Sequence, residues 1–187
     1  MQPEILLDLR RQKQEWFDQA STLLQENTLP PEIKEHLRQS TLPYDPEFAR
    51  LLDTLFQKKP KGQKEFLLME IDELRRGTRA RETEQLFRAF GALTLITPLR
   101  MNGKTVHLLN SGPLKISPWT EQEKETLASL CGIHKQELPP GLDQVAIYHS
   151  SQIQMLVRQQ TREAALLTEL LSSETLPQTE SAASTPS

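Results

Sequence analysis

An Asn-Gly dipeptide at Asn102 and Gly103 separates two runs of β-formers, ALTLITPLR before it and KTVHLLNSGPLKIS after it. Both residues accept the positive φ angles of a type I′ turn, so this stretch is expected to form a β-hairpin. Pro98 cannot donate to a strand ladder and is expected at an edge or near a bulge. Ser111-Gly112-Pro113 is expected to break the second strand. The sequence on either side has helical periodicity. The expected fold is therefore α/β in the broad sense (α+β): a small antiparallel sheet containing the central hairpin, flanked by helices, with long N- and C-terminal helices.

The first helix is expected over about Pro3 to Glu26, where Leu6, Leu9, Trp16, Ala20 and Leu23 form a narrow apolar stripe interrupted by Lys13. TLPPEIKEHLRQ reads as a second, shorter helix with prolines in its first turn. YDPEFARLLDTLFQ reads as a third, capped by Asp45, with Phe48, Leu51, Leu52 and Leu55 on its inner face. GQKEFLLMEIDELRRG is the fourth, with Phe66, Leu67, Met69, Ile71 and Leu74 on a broad apolar side and Gly77 as its stop. ETEQLFRAFG suits either a helix or a short strand leading to Gly91. After the hairpin, Thr120 and Glu123 make a capping box. Trp119 is expected to pack on the hairpin, Leu127, Leu130 and Cys131 face inward, and Gly132 ends that helix. A last helix is expected over about Ser150 to Ser172. Beyond it SSETLPQTESAASTPS reads as a disordered tail or linker.

A chain of 187 residues suits one domain with extensions. The expected division is an N-terminal helix over 1–28, a domain over 29–171 whose last helix occupies 150–171, and a tail over 172–187. No run approaches the roughly 20 apolar residues of a membrane-spanning helix. The first residues mix acids and bases without an apolar core, so no secretory signal is expected and the plain reading is cytoplasmic. Cys131 is the only cysteine, which excludes an internal disulfide and any multi-cysteine metal site. A net charge of −3 provides no global attraction to nucleic acid. Positive charge is nevertheless concentrated in KKPKGQK and RRGTRAR, read first as solvated helix ends.

From Gly91 onward the order of elements resembles the PocR-type sensory domain of bacterial signalling proteins, a relative of the PAS and GAF folds. The steps that carry the resemblance are Gly91, Pro98-Leu99, Asn102-Gly103, Gly112-Pro113, Glu123-Leu127-Ala128, Gly132-Ile133 and Ser151-Gln152. The resemblance extends over about Leu51 to Leu171. It departs from the family where many members carry cysteines before the first hairpin strand. Here those positions read KEFLLMEI and LFRAFGAL, so no cysteine-based metal or cofactor role carries over. The resemblance implies a non-catalytic sensory or regulatory domain that holds a small, largely apolar or alcohol-bearing ligand. It also implies transmission through the terminal helices to a signalling partner.

No catalytic constellation is found, and no metal or cofactor is expected. His36, His107, His134 and His149 show no ligand spacing to one another or to Cys131. Cys131 reads as a small buried hydrophobe, and Ser111-Gly112-Pro113 lacks the surroundings of a nucleophile turn. The expected pocket residues are Phe66, Met69, Phe87, Phe90, Leu95, His107 and Leu109. The expected homodimer seam is Ile153, Val157, Gln160, Ala164, Leu167 and Leu171, with Gln160 fixing register at the two-fold axis. Two alternatives stand beside the sensory reading. One is an interaction scaffold that has lost its ligand, and the other is a nucleic-acid-binding regulator using Arg75, Arg76, Arg79 and Arg81. Only 16 residues follow Leu171. The chain is thus read either as the sensory part of a longer protein or as a stand-alone domain acting on a partner.

Overall fold

The β-rich centre forms three strands, β1 (Glu84–Phe87), β2 (Ala92–Met101) and β3 (Lys104–Lys115), in an antiparallel meander of order β1-β2-β3. The computed structural model describes residues 3–26, 45–101 and 103–183. Asn102 lies outside them, but Gly103 has the expected positive φ of 77°. ETEQLFRAFG resolves to strand β1, with Leu86 opposite Thr94 and Phe87 opposite Leu93. Pro98 pairs with Leu108 beyond the reach of β1, whose last partner on β2 is Ile96. Its missing N–H therefore falls where β2 has a neighbour on one side only, next to a register shift at Leu99/Arg100.

Ser111-Gly112-Pro113 does not end the second strand. β3 runs through it to Lys115, and the register shift between Leu93 and Leu95 absorbs the extra residues opposite Thr94. Glycine is required there: Gly112 has φ 147°, and a Cβ would lie 2.9 Å from the Leu93 carbonyl oxygen.

Helices cover both faces of this sheet. α1 (Pro3–Glu26), α2 (Pro46–Gln57) and α3 (Pro60–Arg79) precede it. α4 (Glu121–Cys131), two short 3-10 turns and α5 (Ser150–Ala183) follow it. The helix expected at TLPPEIKEHLRQ lies outside the described residues, as do the side chains of Trp16, Ala20 and Leu23. Asp45 caps α2 by accepting from the Phe48 amide at 3.1 Å, and its second oxygen accepts from the distant Ala146 amide at 3.2 Å. Thr120 and Glu123 form the expected reciprocal capping box on α4. Gly77 does not stop α3, which continues to Arg79. A Cβ on Gly77 would sit 2.7 Å from Ile96 Cγ2, so the residue instead lets the helix approach the sheet closely.

One hydrophobic core joins α2, α4 and the start of β2 through Phe48, Phe56, Phe90, Ala92, Leu127 and Cys131. Trp119 packs edge-on against Phe48 at 5.9 Å, and Lys115 Nζ stands 4.6 Å from its ring, at the end of β3 rather than over the hairpin. A second core lies on the other sheet face, where α5 places Ile153 and Leu156 on Leu93, Leu95 and Leu114. α1 rests on α3 through Leu6, Leu9, Leu67 and Ile71. α5 also continues beyond Ser172, where composition predicted a tail. Extending an existing helix costs far less than nucleating one, so polar residues are carried along.

Candidate functional site

Alternation along β2 divides the sheet into two functional surfaces. Ala92 and Thr94 face α2 and α3, whereas Leu93, Leu95 and Thr97 face α5. On the first face a cavity of about 180 Å³ remains between the sheet and the two helices. Phe56, Phe66, Met69 and Phe90 form its apolar wall, with Ala49 and Leu52 behind. The phenylalanines belong to one cluster, in which the Phe56 centroid lies 5.7 Å from Phe66 and 6.1 Å from Phe90. Thr94, Asn110, Gly112 and Pro113 contribute the sheet side, including the bulge.

Charge is confined to the other end. Arg88 follows β1 and reaches α3, where Nη1 donates to Asp72 at 3.1 Å. Nη2 donates to Glu73 at 3.0 Å and to the Met69 carbonyl at 3.1 Å. The second Glu73 oxygen has only the Asn110 amide, at 3.5 Å. Burial pushes the Glu73 carboxyl above its usual pKa, against the opposing pull of Arg88. Glu70 also lines the cavity and pairs with Lys13 of α1. A larger groove of about 700 Å³ adjoins at Phe66 and Glu70, but its walls are mainly charged and amide side chains from α1, α2 and α3. It offers water-like surroundings, whereas the smaller cavity combines aromatic walls with convergent polar groups, as ligand sites do.

On the opposite face, α5 inserts one fully buried polar side chain, Gln160. The two hydrogens of its Nε2 are shared among three acceptors, Thr97 Oγ1 at 2.9 Å, the Leu109 carbonyl at 3.0 Å and the Leu95 carbonyl at 3.2 Å. Its Oε1 accepts from Ser111 Oγ at 2.6 Å. Thr83 extends the network, within 2.6 Å of the Thr97 hydroxyl and 2.8 Å of the Thr161 hydroxyl. A single carboxamide thus bridges β2 and β3 beside the same bulge whose other side lines the cavity.

Of the expected pocket residues, Phe66, Met69 and Phe90 line the cavity. Leu95 and Leu109 do not, because the pleat turns them to the α5 side. His107 pairs with Leu99 on that same side, and its burial holds the imidazole below its usual pKa. Phe87 is 61% exposed at the sheet edge. Glu73, Arg88, Thr94 and Asn110 were not anticipated.

The expected dimer seam needs a comparable correction. Ile153, Gln160, Ala164 and Leu167 are buried within the chain, and Val157 packs on the Leu93 cluster. The sheet covers Ile153, Val157 and Gln160, and Ala164 and Leu167 are buried within the chain as well, so these side chains are not presented to a second copy. The side chain of Leu171 lies outside the described residues. Arg75, Arg76, Arg79 and Arg81 gather around the exposed end of α3, where Arg76 pairs with Asp72. His36 is outside the described residues. Among the described residues no group of His, Cys, Asp and Glu side chains is placed to hold a metal ion, and no helix is long and apolar enough to cross a membrane.

No protein-family model matches this chain, and no curated protein or solved structure matches it either.

Proposed function

We propose that this chain is a non-catalytic regulatory domain that binds a small ligand between α3 and the sheet and passes the effect to α5. The observation that carries the reading is the shared bulge of β2 and β3. Thr94, Asn110 and Gly112 line the cavity on one face, while Leu95, Leu109 and Ser111 hold Gln160 on the other. Because neighbouring residues in a strand point to opposite faces, a ligand that shifts Thr94 or Asn110 also shifts the groups that grip α5. A ligand biases the position of α5 only by its difference in affinity for the two arrangements.

This reading agrees with the PAS/GAF-like, PocR-type resemblance, and with it a place in bacterial signal transduction upstream of a protein partner. The cavity suits a guest with an apolar body and one polar end. A volume near 150 Å³ accommodates a benzene-sized molecule, so the guest has about six to nine non-hydrogen atoms.

The test is a panel of four- to six-carbon alcohols, diols, amines and carboxylates, read by thermal shift and then by hydrogen exchange. A binder should raise the melting temperature and slow exchange in β2, β3 and the first five turns of α5. A panel without a binder would overturn the ligand-binding reading. Protection confined to the cavity lining, with α5 unchanged, would overturn the transmission.

A further inference from the structure

We infer that the cavity selects a small alkylammonium ion, with its alkyl part against Phe56, Phe66, Met69 and Phe90 and its N–H groups on Glu73. The inference rests on the ligand-binding reading above and adds the charge of the ligand to it.

The first argument is the balance of donors and acceptors. Among the described residues Arg88 is the only cationic side chain lining the cavity, and its guanidinium is already engaged by Asp72, Glu73 and the Met69 carbonyl. It therefore has little to offer a carboxylate or phosphate. Glu73 is the reverse. A carboxylate has about four lone-pair directions, and here one oxygen holds Arg88 while the other has only a contact of 3.5 Å from Asn110. A closer N–H donor than Asn110 is what this oxygen lacks.

The second argument is the wall. Aromatic rings attract cations through their quadrupole, by about 0.5–2 kcal/mol depending on desolvation. Three phenylalanines beside a carboxylate provide both halves of an ammonium site. Glu70 already pairs with an ammonium, that of Lys13, at the rim. Burial penalises the ionised form of Glu73, and a bound cation would relieve that penalty.

Three probes of one shape and different charge test this: isopentylamine (an ammonium ion at neutral pH), isopentanol and isovalerate, each titrated calorimetrically into the full chain to millimolar concentration. The amine should bind at least about tenfold tighter than the alcohol, or about 1.4 kcal/mol, and isovalerate should not bind. Glu73→Gln should abolish the amine's advantage over the alcohol. If the alcohol binds as well as the amine, if isovalerate binds, or if Glu73→Gln retains the advantage, the ammonium assignment is overturned and the ligand-binding reading stands. Binding by none of the three overturns both. The comparison on the unmodified chain decides the point even if the variant folds poorly.

Discussion

Gln160 and Ser111 meet where α5 crosses the sheet, hydroxyl to carboxamide oxygen at 2.6 Å, with both residues fully buried. A polar pair in such a place is stabilising only while every member has a partner.

Gln160→Leu keeps the bulk of the side chain but strands the Ser111 hydroxyl and removes a donor from two strand carbonyls and from Thr97. The expected loss is about 2–3 kcal/mol, or a fall in melting temperature of roughly 5–10 °C for a chain of this size. Adding Ser111→Ala should recover part of the loss, because the stranded hydroxyl is then gone. Additive effects in this double-mutant cycle would show that the two residues are not coupled.

Gly77→Ala separates two explanations of one glycine. Helix propensity alone predicts a gain of about 1 kcal/mol. The 2.7 Å approach to Ile96 Cγ2 predicts that overpacking outweighs it, with a net loss of about 1 kcal/mol. Urea denaturation decides, and a more stable variant would mean that the helix can withdraw from the sheet without cost.

The sequence made the elements more legible than their faces. The Asn-Gly turn, the Asp45 cap and the Thr120–Glu123 box are local signals, because each is completed within a few residues, and each marks a real boundary. Gly77 reads as a helix stop because a stop and a close approach use the same residue, and only the partner at Ile96 distinguishes them. The stripe on α5 was legible as a stripe, but a pattern of burial does not say what does the burying. Gln160 therefore looked like a seam residue when its partners are Leu95, Thr97, Leu109 and Ser111, some 50 to 65 residues away in sequence. Three residues of the cavity's apolar wall, Phe66, Met69 and Phe90, are legible from apolar spacing. Its polar end has one local signal: Glu73 follows Phe66 and Met69 by seven and four residues on the inner face of α3, where a charge is out of place.

Glu73 should make stability depend on pH. Burial, the largest influence, raises its folded pKa above 4.5, with Glu70 adding to the shift and Arg88 and Asn110 opposing it. Such a group takes up a proton on folding. Its favourable contribution is complete below 4.5 and is lost as pH rises through the folded pKa. Glu73→Gln cannot titrate, so its melting temperature should gain on that of the unmodified protein between about pH 4 and pH 7. A difference that stays constant, or moves the other way, would show that Arg88 compensates the buried charge in full.

Cys131 should be inert while the chain is folded. It is fully buried among Phe48, Phe56 and Leu127, and burial pushes its thiol up to about 11, with only weak opposition from Lys58. At pH 8 about one thiol in a thousand is then ionised, before any steric protection is counted. Labelling by a thiol-exchange reagent should be at least about 100-fold slower than in denaturant, and rapid native labelling would mean that the α2–α4 core opens readily.

Ala164→Glu distinguishes the two roles considered for the inner stripe of α5. At a two-fold seam, the added carboxylate would separate two copies and leave each one folded. Ala164 is instead 6% exposed, one turn beyond the Gln160 latch and one turn before the fully buried Leu167. A carboxylate there would be buried within the chain itself, and an unpaired charge under such burial costs several kcal/mol. The variant should therefore melt at least about 10 °C lower, and its sedimentation coefficient should not simply fall to that of a folded half-assembly. Leu166 provides the control. It is 51% exposed, on the same outer face as Met155 and Leu170, so Leu166→Glu should change stability by no more than about 0.5 kcal/mol. A folded, thermally unchanged Ala164→Glu protein would return that stripe to a second copy.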